Sequence, residues 1–311
     1  MRPPITISSN HIIDCHTHCG GVLIGNIITK SYPYAQDSLD LIRKMEVNGV
    51  DYSICFPFPI SSSFSGFNNM ITPQLYNTLL LNEVEHFGNG CLLPFVYLRI
   101  DDNIDEQIDE IERLAERHII YGLKIYPPSD KFSILDKKVK IKLESFTTRN
   151  NFPIIFHTSF SGFGNANQIL DFAEDNPNIN ISLAHAARFD KLALNRISKL
   201  ENVFMDISPL NMLCALMYSR GESQHCAFSR KMFLKPMNIM QILTELYPTE
   251  IMWGTDTPCS FLTNFRSSEI VSFNNMYTYE NSIKNIELLD SKNRSLICNR
   301  NIINFMSLQN T

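Results

Sequence analysis

The sequence predicts an α/β fold, a (β/α)8 TIM barrel with extra C-terminal helices, on three observations. Eight short apolar segments alternate with helical ones along nearly the whole chain, the pattern of a parallel sheet covered on both faces. The count of eight favours a closed barrel over an open doubly wound sheet. The first strand–helix turn carries Gly20-Gly21 and Gly25 rather than G-x-G-x-x-G, and no G-x-x-x-x-G-K-[ST] occurs, so a nucleotide-binding sheet is disfavoured.

In chain order, the first strand is read over His11–His18 and its helix over Asp37–Asn48. Val50–Phe58 and a helix over Pro73–Phe87 come next, then the strand Cys91–Arg99. Asn103–Arg117 is strongly amphipathic, with Ile104, Ile108, Ile111 and Leu114 on one helical face. Tyr121–Tyr126 is a strand stopped by Pro127-Pro128, with a helix over Asp136–Arg149. The fifth and sixth strands are Phe152–Thr158 and Ile179–Ala186, followed by helices over Asn165–Asp175 and Asp190–Leu200. Val203–Ile207 and Glu250–Thr255 complete the eight. The connection from Ser208 to Lys235 is long and polar, either a lid over the catalytic face or a surface excursion. After Tyr279, two more helices are expected, one closing the barrel and one packing outside it. A single domain over 1–311 is the reading.

Composition narrows the function. With 44% apolar residues the chain can bury a large core, and a net charge of −5 argues against nucleic acid as a partner. No apolar run is long enough to span a bilayer, and no secretory signal is read at the N-terminus. Eight scattered cysteines without C-x-x-C then read as reduced thiols of a cytoplasmic protein. The partner expected is a small-molecule substrate, and a homodimer is allowed.

The chemistry gathers where barrel strands end. Along a strand, alternate side chains share a face, so His16 and His18 converge, with Asp14 expected below them and Cys15 and Cys19 facing the helices. Lys124 stands on strand four, His157 ends strand five, His185 ends strand six and Asp256 ends strand eight. An unpartnered buried imidazole or carboxylate costs on the order of 2–7 kcal/mol. Several such groups at one barrel mouth therefore point to a divalent ion such as Zn²⁺ with an open coordination position. Arg99 and Arg188 are candidates to grip a substrate carboxylate, or surface ion pairs. Phe56, Phe58, Tyr97 and Tyr126 line an aromatic pocket or serve as core. Asp206 orients a ligand or closes a salt bridge, and Cys259 is read as incidental.

The order H-x-H, Lys, His, His, Asp on strands one, four, five, six and eight resembles the amidohydrolase superfamily. G-x-K-x-x-P, L-A-H and W-G-T-D-x-P resemble its compact "amidohydrolase 2" branch of metal-dependent hydrolases and decarboxylases. The resemblance implies that His16, His18, His157 and Asp256 hold one metal, Zn²⁺ or sometimes Mn²⁺, with His185 beside it shuttling a proton or polarising substrate. It implies Asp256 as the proton acceptor for an attacking water. Lys124 stays an amine with one metal, or is carboxylated and bridges two, with His185 on the second. One metal is favoured, and a pairing of Lys124 with Asp14 fits either case. The leading expectation is a hydrolase of a lactone, ester or amide. The alternative is a non-oxidative decarboxylase of an aromatic or enoic acid, and a decayed, non-catalytic barrel is a distant third.

Overall fold

The structure is a computed structural model that describes residues 7–20, 22–24, 27–29, 36–57, 73–101, 103–130, 132–160, 162–221, 223–258, 261–264, 269–272 and 278–308. Phe58 and Cys259 lie outside the described residues. Eight parallel strands run in sequence order: β1 Ile13–His18, β2 Tyr52–Phe56, β3 Leu92–Tyr97, β4 Gly122–Ile125, β5 Ile154–Phe156, β6 Ile181–Leu183, β7 Val203–Asp206 and β8 Ile251–Met252. The sheet closes through the segment after β8. Cys15 N–H donates to Trp253 C=O (3.1 Å), Asp256 N–H to His16 C=O (2.7 Å) and His18 N–H to Thr257 C=O (2.8 Å). The expected barrel is the observed one. Two antiparallel ribbons, Val22–Ile24 with Ile27–Thr29 and Phe261–Asn264 with Glu269–Ser272, accompany it.

Local chemistry explains the outer layer. Helix α1 (Ser38–Asn48) starts where the Asp37 side chain accepts from Asp40 N–H, and it stops at Gly49 in the left-handed region. After α2 (Pro73–Phe87), helix α3 (Ile104–Ala115) buries the four apolar residues predicted for its inner face. Helices α4 (Lys137–Asn150), α5 (Ala166–Asp175) and α6 (Lys191–Ile197) follow, N-capped by Asp136, Asn165 and Asp190. The connection after β7 folds into α7 (Leu210–Arg220) and a short turn before α8 (Pro236–Leu246). It is pinned to the top of the barrel, with Ala227 N–H donating to Phe189 C=O and Lys191 N–H to His225 C=O.

The C-terminal run after α9 (Tyr279–Glu287) spans Ser291–Ser295, Leu296–Arg300 and Asn301–Phe305. It plugs the barrel floor, where Phe305 packs on Phe95 and Phe204 and Ile302 joins the interior cluster. Asn301 Nδ2 donates to Pro248 and Ile251 C=O, and Trp253 N–H to Ile297 C=O, tying plug to seam.

Strand β1 departs from simple alternation. Asp14 aligns with Ser53, but Thr17 already aligns with Cys55, so β1 carries one extra residue between them. The bulge resets the parity. Ile13 and Cys15 belong to the barrel interior, as do Ile54 and Phe56 on β2, and His16 and His18 project inward beyond them. Asp14 registers with Ser53 on the outer side and accepts from Thr255 N–H (3.0 Å) and Oγ1 (2.7 Å). Two expectations are corrected here. Asp14 is not beneath the histidines, and Cys15 faces the interior, whereas Cys19 packs outward against Ser38. Gly254 permits the bulge, because a Cβ there would stand 2.7 Å from His16 Cβ.

Candidate metal centre

Four strand ends bring buried polar groups together. His16 Nδ1 donates to Asp206 Oδ2 (2.9 Å), which leaves the His16 Nε2 lone pair pointing at Asp256 Oδ1, 3.3 Å away. His18 Nδ1 faces Pro57 C=O and the Tyr126 oxygen, each at 3.4 Å, while the Tyr126 hydroxyl proton goes to Pro57 C=O (2.9 Å). Nδ1 therefore carries the His18 proton, and Nε2 approaches the same Asp256 oxygen at 3.0 Å. Two imidazole lone pairs and a carboxylate oxygen thus converge in a buried space. Such an arrangement calls for a cation or added protons between them. His16, His185 and Asp256 also each offer one ligand atom within 4.8 Å of the other two.

Asp206 organises the floor of this cluster. Its Oδ2 holds His16, and its Oδ1 accepts from His185 N–H (3.1 Å), Ser208 N–H (3.0 Å) and Ser208 Oγ (2.5 Å). A carboxylate behind a ligating imidazole fixes its tautomer and raises its basicity. Of the two roles weighed for Asp206, orienting a histidine is the one its contacts support.

The strand five and six side is different. His185 Nδ1 donates to Ser208 C=O (2.6 Å), and its Nε2 lies 3.0 Å from His157 Nδ1. Arg188 donates from Nη2 to His157 Nε2 (3.2 Å) and from Nε to Thr158 C=O (2.8 Å). A guanidinium only donates, so the proton order runs from Arg188 through His157 to His185 and ends at Ser208. Both nitrogens of His185 and of His157 are occupied. His157, expected as a ligand, has its Nε2 held by Arg188 and stands at the half-exposed rim.

This order depends on unusual backbone. His185, Ala186, Ala187, Arg188 and Phe189 all have φ between 47° and 63°, a left-handed turn built without glycine. Left-handed helical backbone costs roughly 1–2 kcal/mol per residue. Burial of Ala186, Ala187 and Phe189, with the Phe189 ring against Phe228 and Phe233, offsets that cost. The turn sets His185 and Arg188 three residues apart on one face of a tight spiral. Sixth-strand apolarity up to Ala186 gave no sign of it. Asp256 shares the left-handed conformation (φ 59°).

Electrostatics separates the groups. Burial works to raise the Asp256 carboxyl, but the adjoining histidines outweigh it and hold the group well below the usual carboxylate range. Burial also opposes ionisation of Asp206, and His16 overcomes it, so this carboxyl too is lowered. Burial and the Arg188 cation push His157 and His185 well below an ordinary imidazole, so both are neutral. Lys124 is fully buried, and burial brings its ammonium down to about 8 against the pull of Asp206 and Asp256. Its Nζ lies 3.5 Å from His16 Nε2 and 4.4 Å from the centre of the Phe56 ring. The pairing of Lys124 with Asp14 is thus replaced by a position between His16 and an aromatic face.

Arg99 is not brought to this cluster. Its Nε pairs with Asp101 Oδ2 (2.6 Å), and it lines a cavity of about 130 Å³ with residues of α2 and α3, among them Asn77 and Gln107. The surface ion pair is the reading the structure favours. Tyr126 stands between His18 and His157, with ring centroids 6.4 and 5.8 Å away. Sequence reasoning missed Ser208, Thr255 and the Pro57 carbonyl. Only Asp206-Ile207-Ser208 carried a signal, an Asp followed two residues later by a hydroxyl that can turn back on it.

No protein-family model matches the chain, and no curated protein matches it. Solved structures share its architecture. The 5-carboxyvanillate decarboxylase of Sphingomonas paucimobilis superposes with a TM-score of 0.62 at 12% identity, over 96% of this chain and 99% of that one. An amidohydrolase from Burkholderia multivorans, solved with bound zinc, gives 0.59 at 14% identity over 96% and 100%. A 5-carboxyvanillate decarboxylase from Novosphingobium aromaticivorans, in complex with manganese and a nitrobenzoic acid, gives 0.60 at 10% identity over 99% and 100%. The chain has the barrel of these enzymes. No helix among the described residues is long and apolar enough to cross a membrane.

Proposed function

We propose that this protein is a metal-dependent hydrolase acting on a small carbonyl compound, a lactone, ester or amide, at the mouth of the barrel. The observation that carries the reading is the approach of His16 Nε2 and His18 Nε2 to the same Asp256 Oδ1, at 3.3 and 3.0 Å, with the opposite ring nitrogens engaged by Asp206 and by the Pro57 carbonyl. That donor set fits a borderline divalent ion, Zn²⁺ first and Mn²⁺ second. One ion per chain is favoured, because Lys124 rests against the Phe56 and Tyr126 rings as an ammonium would.

When bound, the ion supplies Lewis acidity toward a carbonyl oxygen and a water of lowered pKa. Asp256, ionised at neutral pH, accepts the proton released on attack and returns it to the leaving group. Asp206 keeps His16 in the tautomer that presents Nε2. The Arg188–His157–His185 order stabilises charge on the rim, where the Arg188 guanidinium is half-buried. A second reading, decarboxylation of an aromatic or enoic acid, is supported by that guanidinium beside the cluster and by the decarboxylases among the solved neighbours. There Asp256, ionised at rest, would first take a proton from water and then pass it to the carbon that loses CO₂.

The test is metal stoichiometry on the purified chain and on His18→Ala and Asp256→Ala. Near one ion per wild-type chain, lost in both variants, is expected; a wild type without metal sinks the enzymatic reading. Two per chain would favour a carboxylated Lys124. Turnover of a lactone panel set beside CO₂ release from hydroxybenzoates then separates the two reactions.

A further inference from the structure

Two groups of the cluster stand where the sheet is thinnest. Strand β8 is only Ile251–Met252, and Asp256 lies four residues beyond it with its backbone in the left-handed region (φ 59°). His18 is the last residue of β1. Among the described residues, the bond from His18 N–H to Thr257 C=O (2.8 Å) is the last backbone link across this seam.

The chain returns to the seam at Gln36, immediately before α1. Its C=O accepts from Gly20 N–H (3.1 Å), and Asp37 then caps the helix. The Gln36 side chain is fully buried. Its Nε2 donates to His18 C=O (2.9 Å) and to Thr257 C=O (3.2 Å), while its Oε1 accepts from Lys44 Nζ (2.7 Å) in α1. These partners determine which way the amide faces, since carbonyls only accept and an ammonium only donates. One NH₂ group thus bridges the carbonyl of His18 and the carbonyl next after Asp256. Both protons leave one nitrogen in one plane, so the two carbonyls are held at a fixed separation. With them are held the side chains whose Nε2 and Oδ1 lie 3.0 Å apart. On the other flank of Asp256, Asp14 holds Thr255 through its N–H and Oγ1. The left-handed residue is therefore secured on both sides, by a carboxylate and by an amide.

We propose that Gln36 is a positioning residue, an amide clamp at the start of α1 that sets the spacing of His18 and Asp256. The clamp rests on the proposed function only for its effect on metal affinity, since the spacing exists without an ion.

The experiment compares the full-length wild type with Gln36→Glu, with Gln36→Leu combined with Lys44→Met, and with Leu143→Ala. Gln36→Glu keeps the size of the side chain and its Lys44 partner but has no proton for the two carbonyls. The double variant removes both ends of the amide–lysine bond, a paired loss that a fold tolerates better than a single one. Leu143 is buried in α4 and serves as a control for lost stability alone. Each chain is followed by nitrogen-15 imidazole spectra without metal, by Zn²⁺ affinity in chelator competition and by its unfolding midpoint.

In both Gln36 variants the His18 Nε2 signal is expected to move while those of His185 stay. Zn²⁺ affinity should fall by about tenfold or more, as when support behind a ligand is lost. Leu143→Ala should lower the midpoint and leave signals and affinity as in the wild type. Where the wild type binds Zn²⁺, an unmoved His18 signal or unchanged affinity in a folded Gln36 variant overturns the clamp. The same displacement of His18 in Leu143→Ala overturns it as well. A wild type that binds no Zn²⁺, with the His18 signal still displaced in the Gln36 variants, defeats the metal reading and leaves the clamp standing. A wild type that binds Zn²⁺, matched by the variants in signals and affinity, does the reverse.

Discussion

The two sides of the cluster differ in what their nitrogens still lack. On the β1–β8 side, His16 and His18 each have one nitrogen satisfied and one lone pair turned toward Asp256. On the β5–β6 side, His157 and His185 are saturated by Arg188, each other and Ser208. Four imidazoles at strand ends are thus not equivalent. One pair turns a nitrogen each toward a carboxylate, with the Lys124 Nζ 3.5 Å from His16 Nε2, and the other already forms a closed hydrogen-bond order that ends in a permanent cation. Residue type alone cannot make that distinction, because it depends on what stands behind each ring.

Substitutions can break the contrast, beginning on the side that faces Asp256. Asp256→Asn should have the largest effect: it removes the carboxylate that faces both lone pairs, so bound metal should disappear in elemental analysis. Asp206→Asn acts one layer back. By loosening His16 it should weaken metal affinity by about 10–100-fold, read by chelator competition, while Arg99→Gln on the same assay changes nothing. Gly254→Ala puts a Cβ 2.7 Å from His16 Cβ and should lower unfolding free energy by about 1–3 kcal/mol, seen in a denaturant titration.

A control lies outside both sides. Burial raises Asp130 to about 7, where it accepts from the Tyr97 hydroxyl and from Ile100 N–H. Its folded-state value exceeds the unfolded one, so its contribution to stability is full below pH 3.8 and is lost as pH rises through about 7. Asp130→Asn should remove that decline, and denaturation curves at several pH values would show it. The smallest effect is expected on the saturated side. Ala187→Gly relieves roughly 1–2 kcal/mol of left-handed strain, adds about 0.5–1 kcal/mol of chain entropy and loses about 0.8 kcal/mol of buried methyl, so stability should change by less than about 1 kcal/mol in either direction. A clear loss would mean that the turn is not strained.

The barrel was legible because each strand is short and apolar, and four of the helices that follow start at an acidic or amide cap, Asp37, Asp136, Asn165 and Asp190. His16, His18, His157, His185 and Asp256 could be placed at strand ends for the same reason. Their division of labour was not legible. The extra residue in β1 reverses Asp14 and Cys15, and strict alternation cannot register an insertion whose cause, the missing side chain of Gly254, lies about 240 positions away. Nor does His185–Phe189 look left-handed, since Ala-Ala-Arg favours the right-handed helix. Arg99 looked like a ligand for substrate because it ends a strand, yet Asp101, two residues on, claims it.

The seam of the barrel has a consequence for synthesis. Strand β1 closes against residues 253–257, and the floor is filled by Ile302 and Phe305. A nascent chain emerging from the ribosome therefore displays His16 and His18 on a bare edge until residues 253–305 have been made. Pairing across so long a sequence separation is slow, and until it happens neither histidine has Asp256 opposite. A metal ion held between these groups would then be loaded late, coupled to the step that hides this edge from other chains.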